Sequence, residues 1–66
     1  MILKDFKIHF TNSLSELYPK TEIDTFFFLL MDAFLDFERI DVLLKPDFEI
    51  KEGTLTTLNS ALERLK

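Results

Sequence analysis

The chain lacks cysteine and tryptophan, and it has one glycine and two prolines among 66 residues. Without cysteine, a disulfide, a thiolate metal site and a cysteine nucleophile are all excluded. Because the single glycine is Gly53, a glycine-rich phosphate loop is excluded as well. The lack of disulfides gives no sign of an oxidising compartment, so a cytoplasmic location is expected.

Positive charge is also scarce. Eight Lys and Arg stand against twelve Asp and Glu, which gives a net charge of −4. A nucleic-acid-binding protein needs a basic face to neutralise phosphates, and scattered basic residues do not supply one. Neither DNA nor RNA is therefore expected as a partner.

Long apolar runs are absent too. Charges at Lys4, Asp5 and Lys7 interrupt the amino terminus, which therefore lacks the apolar core of a signal peptide. The apolar run in residues 26–31 is far shorter than the roughly 20 residues that a membrane span needs. No membrane association is expected.

Hydrophobic residues are plentiful, at 47% with eight phenylalanines, and five of these fall in residues 25–37, TFFFLLMDAFLDF. This composition predicts one folded domain over residues 1–66. A chain this short is expected to have a stability of at most ~3–5 kcal/mol.

Apolar periodicity predicts four helices, over residues 2–18, 22–36, 38–44 and 51–66. The first and last carry leucine and phenylalanine stripes spaced three and four residues apart. Proline ends the first helix at Pro19 and the short third helix at Pro46, and residues 47–50 form a connector. Thr21 is expected to cap the second helix, and Asp36 the third. The predicted fold is all-α, a small bundle with short connections and mostly antiparallel neighbours.

The second helix is apolar over most of its circumference, so it is expected to be the central one. The centre of its apolar face is predicted at five residues: Phe26, Phe27, Leu30, Phe34 and Phe37. If these five residues form the core, Phe34→Ala is expected to lower the free energy of unfolding by about 3–5 kcal/mol and to unfold most of the domain. Phe28 and Leu35 point away from the centre, as does Ile8 in the first helix. These three are expected to be either docked on a partner or covered by ordinary helix packing.

No catalytic, metal or cofactor-binding residue is predicted. The only histidine, His9, has no partner for nucleophilic or general-base catalysis. Asp32 and Asp36 share one helix face, but di-metal bundles need Glu-x-x-His pairs that the chain lacks. The two aspartates are expected to form a solvated strip.

The order of features resembles the amino-terminal helical domain of the HemK/PrmC family, the release-factor glutamine methyltransferases. The resemblance rests on residues along nearly the whole chain: Leu17-Tyr18-Pro19, Glu22-Ile23, Arg39, Val42-Leu43-Leu44, Asp47 and Leu62-Glu63-Arg64-Leu65. Two features depart from the family pattern. A Gly-Leu-Ser-Arg turn is replaced by residues 35–39, LDFER, and a serine-type cap by Lys51.

The resemblance implies a substrate-recognition domain that stops before the linker to the methyltransferase domain. Family members methylate the glutamine of the Gly-Gly-Gln motif in peptide-chain release factors, in translation termination. The implied partners are a release factor and the absent catalytic domain, which binds S-adenosylmethionine. This chain itself is then expected to bind no cofactor. Phe28, Leu35 and Arg39 are the predicted partner or inter-domain contacts, and the isolated chain is expected to be able to self-associate through its spare apolar surface.

A different class of function stays open, a free-standing acidic interaction module or carrier. Acyl carrier proteins are also small, acidic and helical, but they need an Asp-Ser-Leu serine at the start of a helix. The nearest string is Asn12-Ser13-Leu14, inside the predicted first helix.

Overall fold

The computed structural model describes residues 1–66 and consists of four α-helices. Their bounds are α1 Leu3–Leu14, α2 Lys20–Leu35, α3 Arg39–Leu44 and α4 Glu52–Leu65. Outside them the chain forms turns and one isolated antiparallel bridge, between Ile2 and Glu49. The predicted all-α fold with one short helix is confirmed. No helix has the length and apolar content that crossing a membrane requires.

Helix α1 buries the face that its sequence pattern predicts. Leu3, Phe6, Phe10 and Leu14 are all buried, at the spacing of one helical stripe. The helix ends earlier than predicted, at Leu14, and residues 15–17 form a turn. Leu17, which was expected to continue the stripe, is therefore exposed.

Helix α2 is the central helix, packed against α1 and α4, as predicted. Its fully buried residues are Ile23, Phe27 and Met31, which follow one another four residues apart. At roughly 100° per residue, this face lies about 60° round the helix from the predicted centre. Phe28 and Leu35, expected to point away from the core, are half-buried and pack against it.

Phe34 was predicted as a core residue, and this prediction is wrong, because 43% of it is exposed. The Tyr18 hydroxyl, just before α2, donates a hydrogen bond to the carbonyl of Leu65 at the end of α4. This bond holds the start of α2 near the end of α4. Phe34 lies two turns after Phe27 on nearly the same face, so its exposure reflects its position in the last turn of the helix and not the direction that it faces.

The two ends of α2 also differ from the predicted caps. Pro19, not Thr21, is the N-cap residue, and its fixed φ of −65° is compatible with that position. Asp36 does not cap α3. It ends α2 in a left-handed conformation with φ of 56°, and its N–H bonds to the carbonyl of Asp32. Aspartate is among the few residues other than glycine that adopt this conformation at moderate cost.

Helix α3 begins with a capping box between Glu38 and Asp41. The Glu38 side chain accepts from the N3 backbone N–H, and the Asp41 carboxylate accepts from the Glu38 N–H at 3.0 Å. Only Val42 of α3 is buried, so this helix contributes little to the core.

The connector at residues 46–50 attaches α3 and α4 to the start of α1. The N–H groups of Leu3 and Lys4 donate to the carbonyls of Phe48 and Pro46, at 2.8 and 2.9 Å. These bonds satisfy first-turn donors that a helix leaves unpaired. They hold α1 and α3 side by side, because Pro46 follows α3 after a single residue.

One apolar cluster lies at the centre of the four helices. It consists of eleven buried residues, all hydrophobic: Leu3, Phe6, Phe10, Leu14, Ile23, Phe27, Met31, Val42, Ile50, Leu58 and Leu62. No polar or charged side chain is buried. Any polar recognition by this chain must therefore occur at its surface.

Candidate functional site

The acidic side chains and the histidine do not gather into a metal site. No group of three or more His, Cys, Asp or Glu side chains is placed to hold a metal ion. Asp32 and Asp36 are both exposed, on or just after the last turn of α2. His9 is also exposed, with its ring 6.3 Å from that of Phe6. The surface features that remain are apolar and cationic.

Exposed apolar side chains are numerous for so small a domain. Eight large ones are exposed: Met1, Ile8, Leu17, Leu29, Phe34, Ile40, Leu43 and Leu44. Three of the eight belong to α3, a helix of six residues. A helix that buries one residue and exposes three aliphatic ones has an apolar outer face, which is typical of a binding surface.

Two of the three predicted contact residues, Phe28 and Arg39, touch each other. The Arg39 guanidinium carbon lies 4.8 Å from the centroid of the Phe28 ring, within the range of a cation–π contact. Phe28 is half-buried and Arg39 exposed, so one edge of the pair faces solvent. Leu35, the third predicted contact residue, is half-buried and packs against the core.

Lys7 is a third member of this group that the sequence reasoning missed. Its Nζ lies 5.7 Å from the ring centroids of both Phe27 and Phe28. Phe28 therefore has a cation from α1 and a cation from α3 near its ring. The sequence holds one indication of this position. Lys7 directly follows Phe6, so it lies at the edge of the buried stripe of α1.

A groove runs beside this group, between α1 and α3. Its volume is about 300 Å³. The lining residues are Leu3, Lys4, Lys7, Ile8, Val42, Leu43 and Pro46. Four are hydrophobic and two are lysines, and no acidic residue lines the groove. Its floor is apolar and its charge is positive, in a chain whose net charge is −4.

A second apolar depression, of about 270 Å³, lies between α2 and α4. It is lined by Phe26, Leu29, Leu30, Ala61, Arg64 and Leu65. Leu29 is 61% exposed at its edge. The chain thus has two apolar depressions that share no lining residue.

The structure also bears on the carrier hypothesis. Ser13 is the penultimate residue of α1 and is half-buried. A phosphopantetheine-bearing serine is expected at the start of a helix. Ser13 lies near the end of α1, so it does not meet this requirement.

Comparison with known proteins gives one similarity along the entire chain. The chain is 29% identical over 66 residues to a release factor glutamine methyltransferase of Flavobacterium psychrophilum. The match covers all of this chain and 23% of the relative, so the chain spans less than a quarter of the relative's length. No family model matches the chain. No solved structure matches it either. The similarity confirms the resemblance drawn from the sequence.

Proposed function

We propose that this chain is the substrate-recognition domain of a methyltransferase that modifies the Gly-Gly-Gln glutamine of peptide-chain release factors. The observation that carries the proposal is the similarity along all 66 residues to a release factor glutamine methyltransferase. Because the match covers 23% of that relative, most of the relative has no counterpart in this chain. The proposal assigns the chemistry to that larger part and recognition to the helical part.

The surface of the chain supports a role in recognition. Its buried residues are all hydrophobic, so the core serves folding alone. Two apolar depressions, of about 300 and 270 Å³, share no lining residue, which would allow a different partner at each. Apolar surfaces of this kind are typical of protein contacts. Phe28, Leu35 and Arg39 remain the proposed contacts to the release factor or the catalytic domain.

The residues of this chain do not fit S-adenosylmethionine. The only glycine, Gly53, lies in the first turn of α4, so no glycine-rich loop can approach the cofactor. Neither apolar depression is lined by an acidic side chain that could accept from ribose hydroxyls. The proposal therefore places the cofactor in the catalytic domain, and the whole enzyme in the cytoplasm.

Calorimetric titration tests the proposal. The 66-residue chain is titrated with an intact bacterial release factor and, separately, with S-adenosylmethionine. The proposal predicts saturable one-to-one binding to the release factor and no binding heat with S-adenosylmethionine. Stoichiometric binding of S-adenosylmethionine would contradict the assignment of recognition without cofactor binding. The absence of any release-factor binding would favour the free-standing interaction module.

A further inference from the structure

The groove between α1 and α3 has a regular arrangement of charge and apolar surface. On α1, Lys4 and Lys7 are three residues apart, and Ile8 is four residues from Lys4, so all three share one face. On α3, Arg39 and Leu43 are four residues apart and also share a face. The α1 wall of the groove therefore presents two lysines beside an exposed aliphatic side chain, and Arg39 lies beside the groove, one turn from Leu43 on α3.

The two walls are held at a fixed separation. The Lys4 N–H donates to the Pro46 carbonyl at 2.9 Å, which joins the start of α1 to the end of α3. Lys7 and Arg39 both lie over the Phe28 ring, at 5.7 and 4.8 Å, which joins the walls through α2. A groove that is already formed loses little conformational entropy when a ligand enters it.

The cations of the groove have no acidic partner within the chain. Of eight Lys and Arg side chains, the ion pairs take up Lys20, Lys45 and Lys66. The remaining five are Lys4, Lys7, Arg39, Lys51 and Arg64. Three of these five therefore lie on or beside one groove. Removing these three charges from the net charge of −4 leaves −7 on the rest of the chain.

Two of the aliphatic side chains that line the groove are exposed, and the other two are buried. Ile8 is 52% exposed and Leu43 is 66% exposed, and both line the groove. Burying such side chains against a ligand is favourable by about 25 cal/mol per Å² of apolar surface. An apolar strip with basic edges is complementary to an apolar strip with acidic edges.

We propose that the groove binds an acidic amphipathic segment of a partner protein, with aliphatic side chains between Ile8 and Leu43 and carboxylates toward Lys4, Lys7 and Arg39. This is the helix-in-groove mode of peptide recognition. Charge complementarity favours a protein segment, because a short segment can keep its carboxylates beside the three cations, whereas an anionic membrane would extend over the rest of the chain and be repelled by its net charge. The inference rests on the groove and does not depend on the proposed function.

The test is a fluorescence anisotropy titration of the 66-residue chain with a labelled peptide. The peptide has about 16 residues, leucines at i, i+3, i+4 and i+7, glutamates at the positions that flank the leucine stripe, and alanine or glutamine at its other positions. A second peptide replaces every glutamate with lysine. The proposal predicts saturable binding of the acidic peptide, weakened by added salt, and no binding of the basic one.

Two matched pairs of variants locate the binding site. Lys4→Glu with Arg39→Glu reverses two charges at the groove, and Lys51→Glu with Arg64→Glu makes the same change elsewhere. All four residues are exposed and lack ion-pair partners. The first pair is expected to weaken peptide binding by about tenfold or more relative to the second, because only it reverses the groove's charge. Circular dichroism confirms that both variants remain folded.

The second matched pair compares two leucines of α3. Leu43 and Leu44 are 66% and 71% exposed, but only Leu43 lines the groove. Leu43→Ser is expected to abolish detectable binding, and Leu44→Ser to leave it unchanged. Equal effects within either pair, equal binding of both peptides, or no binding of the acidic peptide would overturn the proposal. Binding to phosphatidylserine vesicles in place of the peptide would also overturn it. None of these measurements uses a release factor, so their results neither support nor contradict the proposed function.

Discussion

The guanidinium of Arg39 lies over the ring of Phe28, with 4.8 Å between the guanidinium carbon and the ring centroid. This contact joins the short helix α3 to the central helix α2. Helix α3 buries only Val42, so its position depends on such peripheral contacts more than on the core. The pair also stands beside the groove that separates α3 from α1.

Removing Arg39 is expected to have a small effect on stability. A cation–π contact at an exposed site contributes about 0.5–1 kcal/mol. Arg39→Ala should therefore lower the free energy of unfolding by about that amount, and Arg39→Ala should have almost no effect in a Phe28→Leu background. Urea denaturation of the two single variants and the double variant gives the coupling. Arg64→Ala removes an exposed arginine with no such aromatic contact and is the control. A coupling energy of zero would show that the contact is not formed in solution.

A pair of phenylalanine substitutions tests how far along α2 the core extends, because Phe27 and Phe34 lie two turns apart on nearly the same face. Phe27 is 1% exposed and Phe34 is 43% exposed. Phe27→Ala is expected to cost about 3–5 kcal/mol, which matches the whole expected stability, so that variant should be unfolded. Phe34→Ala should remain folded with a loss of about 1 kcal/mol or less. Circular dichroism with thermal melting distinguishes them. The reverse order of stability would show that the core covers the last turn of α2, as predicted from the sequence.

The end of α2 offers a stabilising substitution. Asp36 has φ of 56°, a conformation that costs an L-residue about 1–2 kcal/mol and glycine almost nothing. Its negative charge also lies at the negative end of the helix dipole. Asp36→Gly is expected to raise the free energy of unfolding by about 0.5–1 kcal/mol, after the larger entropy of glycine in the unfolded chain is subtracted.

Two further variants at this position separate the causes. Asp36→Asn removes the charge and keeps a residue that adopts the left-handed region, so a gain of about 0.3 kcal/mol is expected. Asp36→Ala should lower stability by about 1 kcal/mol. Equal effects of the glycine and alanine variants on the free energy of unfolding would contradict the left-handed conformation of residue 36.

The bond between Tyr18 and Leu65 closes the bundle. The Tyr18 hydroxyl donates to the Leu65 carbonyl at 2.8 Å in a partly buried position. Tyr18→Phe keeps the ring packed edge-on against Phe26 and removes only this bond. A loss of about 1 kcal/mol is expected, measured by chemical denaturation. Ser15→Ala removes an exposed hydroxyl that bonds within the same turn and should change stability by less than about 0.5 kcal/mol. Equal effects would mean that the long-range bond contributes nothing.

The sequence predicts the number and order of helices because their boundaries are set locally. Pro19, Pro46 and the leucine spacing of α4 act within a few residues, and α1 has a clear polar side that fixes its phase. Helix α2 has hardly any polar side, so its own pattern cannot fix which face is buried. That choice depends on where α1 and α4 pack, which is why Met31 was not singled out. Phe34 lies on nearly the same face as Phe27, and it was misplaced because the pattern does not show how far along α2 the core extends.

The candidate site was partly predictable for the same reason. Phe28 was predicted as a contact because it lies away from the predicted core face of α2. Arg39 is one of the residues that carry the family resemblance, and the structure brings it into contact with Phe28. Lys7 could not be assigned to them, because its place over Phe28 depends on the packing of α1 against α2. The groove itself depends on hydrogen bonds between Leu3, Lys4 and the connector, which no local pattern in the sequence indicates.

A domain exchange tests the proposed function most directly. In the Flavobacterium psychrophilum enzyme, the segment that this chain matches is replaced by this chain, and a second form lacks the segment. Methylation is measured as kcat/KM on an intact release factor and on a short Gly-Gly-Gln peptide. If the chain is a recognition domain, the chimera keeps activity on the release factor within about tenfold of the parent, while the deleted form loses it and still methylates the peptide. A chimera no more active on the release factor than the deleted form would contradict that role.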